Sequence, residues 1–437
     1  MKEIHGNWEG PPLALFWDQS LVWGLICLET LRKLAIPFQL LTGREIAQGH
    51  LAGYRVLLVP GGWASHKIKA LGTTGREEIS RFIEEGGSYL GFCGGAGLAL
   101  SSHPSLCLVP LERMPLSERL PSASGQIWVQ GNPQHPTWEN LPPCLPVSIW
   151  WPSQFSGNHS RESSILATYV HAGENFMVAD LPVVDLPLVS EEEGAIPWKE
   201  MEKLYGINLN PDRILGHPAI IEVKKGKGRL VLSYPHLETP GDTWGNYLFL
   251  NILKYLNKSA SSCSSRSTLD GHVMTKMSRF PGPASLHSFR QSLEAADELI
   301  RFGENHLLWQ WRKPWLLRWR RGIRGLEYGS LAVALKAIMD IGQRVAAGRE
   351  IDTPWIEAAT RLEHNVQEFC LQAKRLLLEE KLAGQAGSVS KLGKVNETVD
   401  RLRAELFGSK MNHGGLSRVL FDEIDAILLN LIRLDKC

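Results

Sequence analysis

At 437 residues, 43% of them hydrophobic, the chain is long enough for two or three domains and a substantial buried core. A formal net charge of +1 points to no global partner class, although residues 1–257 are mildly acidic and the remainder mildly basic. Seven cysteines, at positions 27, 93, 107, 144, 263, 370 and 437, show no close pairing, so neither a disulfide framework nor a metal site is expected.

The first residues, Met1-Lys2-Glu3-Ile4-His5-Gly6, lack the apolar centre of a signal peptide, and no uncharged apolar run approaches about 18 residues; a cytoplasmic location is expected. A first strand is predicted at 13–17, a helix at 20–34 with Ser20 as its N-cap, and a second strand at 38–41. The run Val56-Leu57-Leu58-Val59 stops at Pro60-Gly61-Gly62, as a buried parallel strand ending in a loop would. Residues 63–72 read as a polar loop with Trp63 exposed and with Lys67 and Lys69 in solvent rather than on a substrate carboxylate. A helix over 76–85 closes at Gly86-Gly87. Short apolar runs alternating with helical patterns indicate a parallel sheet covered by helices on both faces.

Next comes Ser88-Tyr89-Leu90-Gly91-Phe92-Cys93-Gly94-Gly95-Ala96, a short buried strand, a sharp turn and a helix start. Glycines around Cys93 permit the backbone angles of a nucleophile elbow, and the N-terminus of the helix that follows favours thiolate over thiol. The alternative for this stretch alone is a structural cysteine in a packing or phosphate-binding turn. In an open parallel sheet the ligand crevice lies beyond the carboxyl ends of the strands, so Gly61-Gly62 and Cys93 are expected at one edge.

From 101 to 230, prolines, aromatics and short β-like runs at 126–130, 147–151, 164–169 and 175–178 suggest an antiparallel extension of the sheet. Trp150 and Trp151 are expected to pack, and 191–194 to form an exposed acidic loop. The strand opening at Gly228 runs out into Tyr234-Pro235-His236-Leu237-Glu238. A cysteine nucleophile needs a base, and the base needs a group that holds its tautomer; His-x-Glu at a strand's carboxyl end supplies both. A closing helix is predicted at 244–256.

The chain divides into three stretches: a domain at 1–257, a Ser/Pro-rich flexible linker at 258–284 in which Cys263 is incidental, and an α-helical bundle at 285–437. Helical spacing recurs in Leu286, Phe289, Leu293, Ala296 and Ile300, in Leu331, Leu335, Ile338, Ile341 and Val345, and in Leu362, Val366, Phe369, Ala373 and Leu376 after Thr353-Pro354. A last helix is predicted at 416–434. Such a bundle can self-associate or bind a protein partner. Within it, 306–324 interleaves four tryptophans with six basic residues. That pattern suits stacking on single-stranded nucleic acid or lying in an anionic membrane interface, or else a loop-helix whose tryptophans pack on the bundle. The last reading is preferred, because Pro314 interrupts any clean segregation of faces.

Together the Pro60-Gly61-Gly62, Cys93 and His236-Leu237-Glu238 stretches resemble a class I glutamine amidotransferase-like domain, and within that superfamily the biotin-protein ligase N-terminal domain. The resemblance extends to Ala14-Leu15-Phe16-Trp17-Asp18, to His135-Pro136-Thr137-Trp138-Glu139-Asn140-Leu141-Pro142, to Ile149-Trp150-Trp151-Pro152-Ser153 and to Gly226-Lys227-Gly228-Arg229, covering residues 1 to 257. It implies Cys93 as nucleophile, His236 as base, Glu238 as its orienter, and the backbone amides of Gly62 and Gly94 as oxyanion donors; Gly61 and Trp63, in the loop that ends the third strand, are pocket candidates. A long insertion separates Cys93 from His236 without a separate glutamine-binding signature, and no Gly-Arg-Gly-Arg type loop or ligase domain follows, so biotin ligation is not expected. The expected fold class is α/β, a flavodoxin-like parallel sheet sandwiched by helices with an antiparallel extension, followed by a separate α-helical bundle. The expected chemistry is hydrolysis or transfer at an amide C–N bond of a small molecule or peptide, through a thioester and without a cofactor. The competing expectation is a catalytically silent ligand-sensing or scaffolding module whose helical domain binds a partner.

Overall fold

The computed structural model describes residues 8–157, 163–189, 196–260, 281–346, 353–387, 394–408 and 414–435. The acidic stretch 191–194, Cys263 and most of the Ser-rich segment fall outside these residues. The chain forms two compact units, Met1–Asp270 and Gly271–Cys437.

The strands of the first unit are β1 (Leu13–Phe16), β2 (Phe38–Leu41), β3 (Val56–Val59), β4 (Ser88–Phe92), β5 (Glu112–Arg113), β6 (Ala123–Gly131), β7 (Cys144–Trp150), β8 (Phe155–Ser156), β9 (Ser163–Ala172), β10 (Met177–Val178), β11 (Leu181–Pro182), β12 (Pro218–Lys225) and β13 (Gly228–Ser233). Eleven of them form one sheet in the order β11-β10-β6-β9-β12-β13-β4-β3-β1-β2, with β7 paired on β6. The half β2-β1-β3-β4-β13 is parallel and has the flavodoxin-like order 2-1-3-4-5. β13 is the joint, parallel to β4 on one side and antiparallel to β12 on the other. β1, β3 and β4 are buried at every residue, which is why they read as unbroken apolar runs rather than alternating ones.

Helices α1 (Val22–Lys33), α2 (Gly43–Ala47), α3 (Ala64–Glu84), α4 (Gly94–Ala99), α5 (Trp198–Tyr205) and α6 (Thr243–Ser259) complete the unit. Phe82 and Ile83 of α3 and Ala96 of α4 share a buried core with Leu57, Val59, Tyr89, Leu230 and Leu232 of the sheet. Two local expectations are corrected. Ser20 does not cap α1: the cap position is Leu21, at φ 52°, while Ser20 Oγ donates to Phe16 O (3.3 Å) and accepts from Lys67 Nζ (2.6 Å). Residues 64–72 are helix rather than loop, with the regular angles of α3 broken only at Gly72 (φ 60°, ψ −165°). That helix turns Lys67 inward, where the fully buried ammonium also donates to Asp18 O (3.0 Å) and lies 5.0 Å from the centre of the Phe16 ring. Lys69 is exposed, and Trp63 is the half-buried N-cap of α3.

The second unit holds α7 (Pro283–Asn305), the hairpin strands β14 (Trp309–Lys313) and β15 (Leu316–Trp319), then α8 (Gly325–Ala346), α9 (Thr353–Ala386), α10 (Glu397–Phe407) and α11 (Gly415–Leu434). Residues 306–324 are thus neither loop nor helix: Trp309 pairs with Trp319 across an antiparallel hairpin that turns at Pro314-Trp315. The apolar residues at the turn end of the hairpin and at its start are what it buries: Trp309, Trp315, Leu316 and Leu317 are buried, while Gln310 and Trp311 are exposed. Trp309 Nε1 donates to Ile300 O of α7 (2.9 Å), and its ring lies 5.3 Å from that of Tyr328. Among the described residues, no helix is long and apolar enough to cross a membrane.

Candidate active site

Strand register brings the sequence motifs to one edge. Ser233 of β13 pairs with Phe92 of β4, and Val59 of β3 pairs with Gly91, so Cys93, the Gly61-Gly62 loop and Tyr234 leave the same carboxyl edge. Cys93 sits at φ 47° and ψ −104°, a region that disfavours any residue with a Cβ and that persists only where neighbours impose it. Here the Cys93 N–H donates to Ser233 O (2.8 Å) and its carbonyl accepts from Gly97 N (2.9 Å), fixing both sides of the turn. A Cβ on Gly94 would run into the carbonyl oxygen of Gly62, and one on Gly95 into that of Val59; the glycines let the elbow and the β3 loop touch. Cys93 itself is half-buried.

The loop after β13 is pinned from several directions. His236 N donates to Ser148 O (2.8 Å), Ser148 N donates to Asp242 Oδ2 (2.7 Å), and Asn246 Nδ2 donates to Leu237 O (2.8 Å) and Thr239 O (3.0 Å). Asp242 also caps α6 by accepting from Gly245 N (2.9 Å). Held this way, His236 Nδ1 lies 2.7 Å from Glu238 Oε1, and both side chains are fully buried. Nε2 is buried without a hydrogen bond of ordinary geometry, and Cys93 is the other polar group that acts on the ring. Burial alone would lower the imidazole pKa; the Glu238 carboxylate and the Cys93 side chain outweigh it and push it up to about 10. His236 therefore keeps its second proton at neutral pH.

One face of α1 covers this pair. Trp23 stacks on the His236 ring with centroids 4.5 Å apart, Trp151 meets Trp23 edge-on at 6.2 Å, and Thr30 Oγ1 donates to Glu238 O (2.7 Å). Cys27, one turn from both Trp23 and Thr30, is a buried thiol pushed well up by desolvation and then by the Glu238 charge, with Lys67 opposing. It is a packing residue, not a second nucleophile.

The structure brings Cys93, His236 and Glu238 together and puts the Gly62 and Gly94 backbones in contact. The Gly94 N–H stands at the first position of α4, where no earlier helical carbonyl is there to accept it. Gly61 lies against the imidazole, since a Cβ there would come within 3.0 Å of His236 Cε1. Trp63 stands three residues beyond Pro60, at the start of α3. Sequence reasoning missed Trp23, whose only signal was its place on α1, and a polar group made of Arg113, Arg119, Tyr169 and Tyr234. Cys93 interacts electrostatically with Arg119, Tyr169 and Tyr234, and Arg113 with Arg119 and Tyr234. Tyr234 could have been found, being the residue that leaves β13 beside Cys93. No group of three or more His, Cys, Asp or Glu side chains among the described residues could hold a metal ion.

Residues 47–102 match the family described as Biotin-protein ligase, N terminal. No curated protein matches the chain in sequence. Among solved structures, the chain is similar to a putative ThuA-like protein from Bacteroides uniformis, at 14% identity and TM-score 0.38, over 60% of this chain and 99% of that one. It is also similar to a putative GMP synthase component from Thermoplasma acidophilum (12% identity, TM-score 0.36, 57% of this chain and 96% of that one). A glutamine amidotransferase from Thermotoga maritima shows 14% identity and TM-score 0.31, over 56% of this chain and 98% of that one. The family match runs from the last residue of α2 through the Cys93 turn.

Proposed function

We propose that the first unit is a Cys-His-Glu enzyme that hydrolyses or transfers the acyl group of an amide through a thioester on Cys93. The observation that carries this reading is the buried 2.7 Å pair of His236 and Glu238, beside a half-buried cysteine held at positive φ. Glu238 holds Nδ1–H and leaves Nε2 for the thiol. Cys93 Sγ attacks the carboxamide carbon, and the oxyanion that forms is met by the N–H groups of Gly62 and Gly94. Collapse breaks the C–N bond as the His236 imidazolium gives its Nε2 proton to the departing nitrogen, leaving a thioester and a neutral imidazole. Water, or an acceptor amine, then attacks with Nε2 as base; the acid or new amide leaves and the thiol is restored.

A panel of p-nitrophenyl esters and p-nitroanilides, followed by intact-mass spectrometry, tests this. The expected result is an acyl adduct on Cys93 that hydroxylamine removes and that is absent in a folded Cys93→Ala protein. Turnover retained in Cys93→Ala would overturn the assignment.

A further inference from the structure

The polar group beside Cys93 has an unusual charge balance. Arg113 leaves β5 and reaches back to α4: its Nη2 lies 3.0 Å from where a Cβ on Gly97 would stand, and Gly97 is the residue whose N–H holds the Cys93 carbonyl. Arg119 Nη1 donates to Ser153 Oγ (2.7 Å), and Ser153 also borders Tyr234. The connection that carries both arginines is fastened to the β7–β8 segment, with Met114 N donating to Gln154 O (3.0 Å) and Leu120 N to Gln154 Oε1 (2.9 Å). Neither guanidinium forms an ion pair with a carboxylate among the described residues, and Nε of each is buried without a hydrogen bond.

Tyr169 and Tyr234 are each 1% exposed; the Tyr169 hydroxyl lacks a hydrogen bond, and the Tyr234 hydroxyl has only Ser153 beside it, without a hydrogen bond of ordinary geometry. Burial pushes Tyr234 up to about 12 and raises Tyr169 well above the usual phenol range, so both remain O–H donors at neutral pH. Arg119 is lowered by burial and then by Arg113, as two uncompensated like charges in a partly desolvated place would be. Buried donors and unpaired cations are costly to a fold, and here they gather around one reactive side chain rather than being scattered. The fork of a guanidinium fits a carboxylate or phosphate, and an anion seated there would satisfy all four groups together.

We propose that Arg113, Arg119, Tyr169 and Tyr234 form an anion subsite beside Cys93, so that the amide substrate carries a carboxylate or phosphate next to its scissile group. This rests on the reading of Cys93 as nucleophile for its placement in catalysis, though anion binding does not require the thiol to react.

The two are tested apart by alkylating Cys93 with iodoacetate and with iodoacetamide, using peptide mapping to exclude the other cysteines. Taking the ratio of the two rates cancels any change in the thiol itself. The subsite predicts a ratio at least about tenfold higher in the native protein than in Arg119→Gln or Arg113→Gln, with Arg119→Lys, which keeps the charge, near the native value. A ratio unchanged in both Gln variants overturns the subsite while leaving the nucleophile intact. If neither reagent labels Cys93, the enzymatic reading fails, and the subsite is judged by calorimetry on Cys93→Ala with succinate and with inorganic phosphate. Binding of one of them that Arg119→Gln abolishes supports the subsite and identifies the anion; no binding of either overturns it.

Discussion

Both units bury charged side chains, but they compensate them differently. In the helical unit the two arginines that are buried among the described residues each have a carboxylate: Arg324 Nη1 donates to Glu327 Oε1 (2.9 Å), Arg403 pairs with Glu380 (2.7 Å), and the Arg324 guanidinium also lies 4.6 Å from the centre of the Phe407 ring. In the α/β unit the carboxylate of Glu238 is spent on His236, while Arg113 and Arg119 face a cysteine and two tyrosines and pair with no acid among the described residues. Charge that is neutralised within the chain specifies a fold; charge left over at a sheet edge awaits something the chain does not contain.

Substitutions can break that contrast. The largest expected effect lies in the helical unit: Arg403→Met strands Glu380, whose carboxyl burial already pushes upward, and should cost about 3–5 kcal/mol. Denaturant unfolding followed with hydrogen exchange in α8, α9 and α10 measures it, and Cys93 alkylation should not change. Glu238→Gln acts on the other unit and on proton affinity rather than on the fold. It removes the charge that lifts His236, so the imidazole's NMR titration midpoint should fall from near 10 toward or below 6.5, each pKa unit lost being about 1.4 kcal/mol of weakened ion pairing. The accompanying sign is testable in the native protein: a raised histidine contributes stability that is complete below about 6.5 and is lost as pH rises through about 10. A smaller effect belongs to Glu222. Burial would raise its carboxyl, but hydrogen bonds from His135, Tyr255 and Arg229 hold it down to about 2, so it stabilises the fold above about 4.5 and less as pH falls toward 2. Glu222→Gln should flatten that acid slope by about 1–2 kcal/mol, discounted for solvent screening, in urea titrations between those pH values.

The parts of this molecule that were legible in the sequence are those specified locally. Val56-Leu57-Leu58-Val59 before Pro60-Gly61-Gly62 announces a buried strand and its exit loop, and a cysteine between glycines announces a strained turn, because in both cases neighbours in sequence are the cause. His236 and Glu238 were readable together because they share one turn. What could not be read is made by partners distant in sequence. Lys67 looked like a solvated loop lysine until the carbonyl of Asp18 and the hydroxyl of Ser20, 49 and 47 residues away, gave it a buried role. Trp23 covers the His236 ring only because α1 lies across the loop after β13. The arginines on the connection after β5 and the tyrosines of β9 and β13 meet through sheet pairing that no local pattern encodes. The Trp309–Trp319 hairpin was misread because Pro314 looked like a break in a helix, whereas it sits in the turn between two strands.

The central claim is that His236 activates Cys93, and the rate of Cys93 alkylation by iodoacetamide between pH 5.5 and 9 tests it most directly, in the native protein and in His236→Ala. Peptide mapping is needed because Cys107 is exposed as well. The account predicts that native Cys93 still reacts rapidly near pH 6.5, where an ordinary thiol is almost wholly protonated, and that His236→Ala slows it by about 100-fold there. Equal rates in the two proteins, each rising with pH as an ordinary thiol's would, would contradict it.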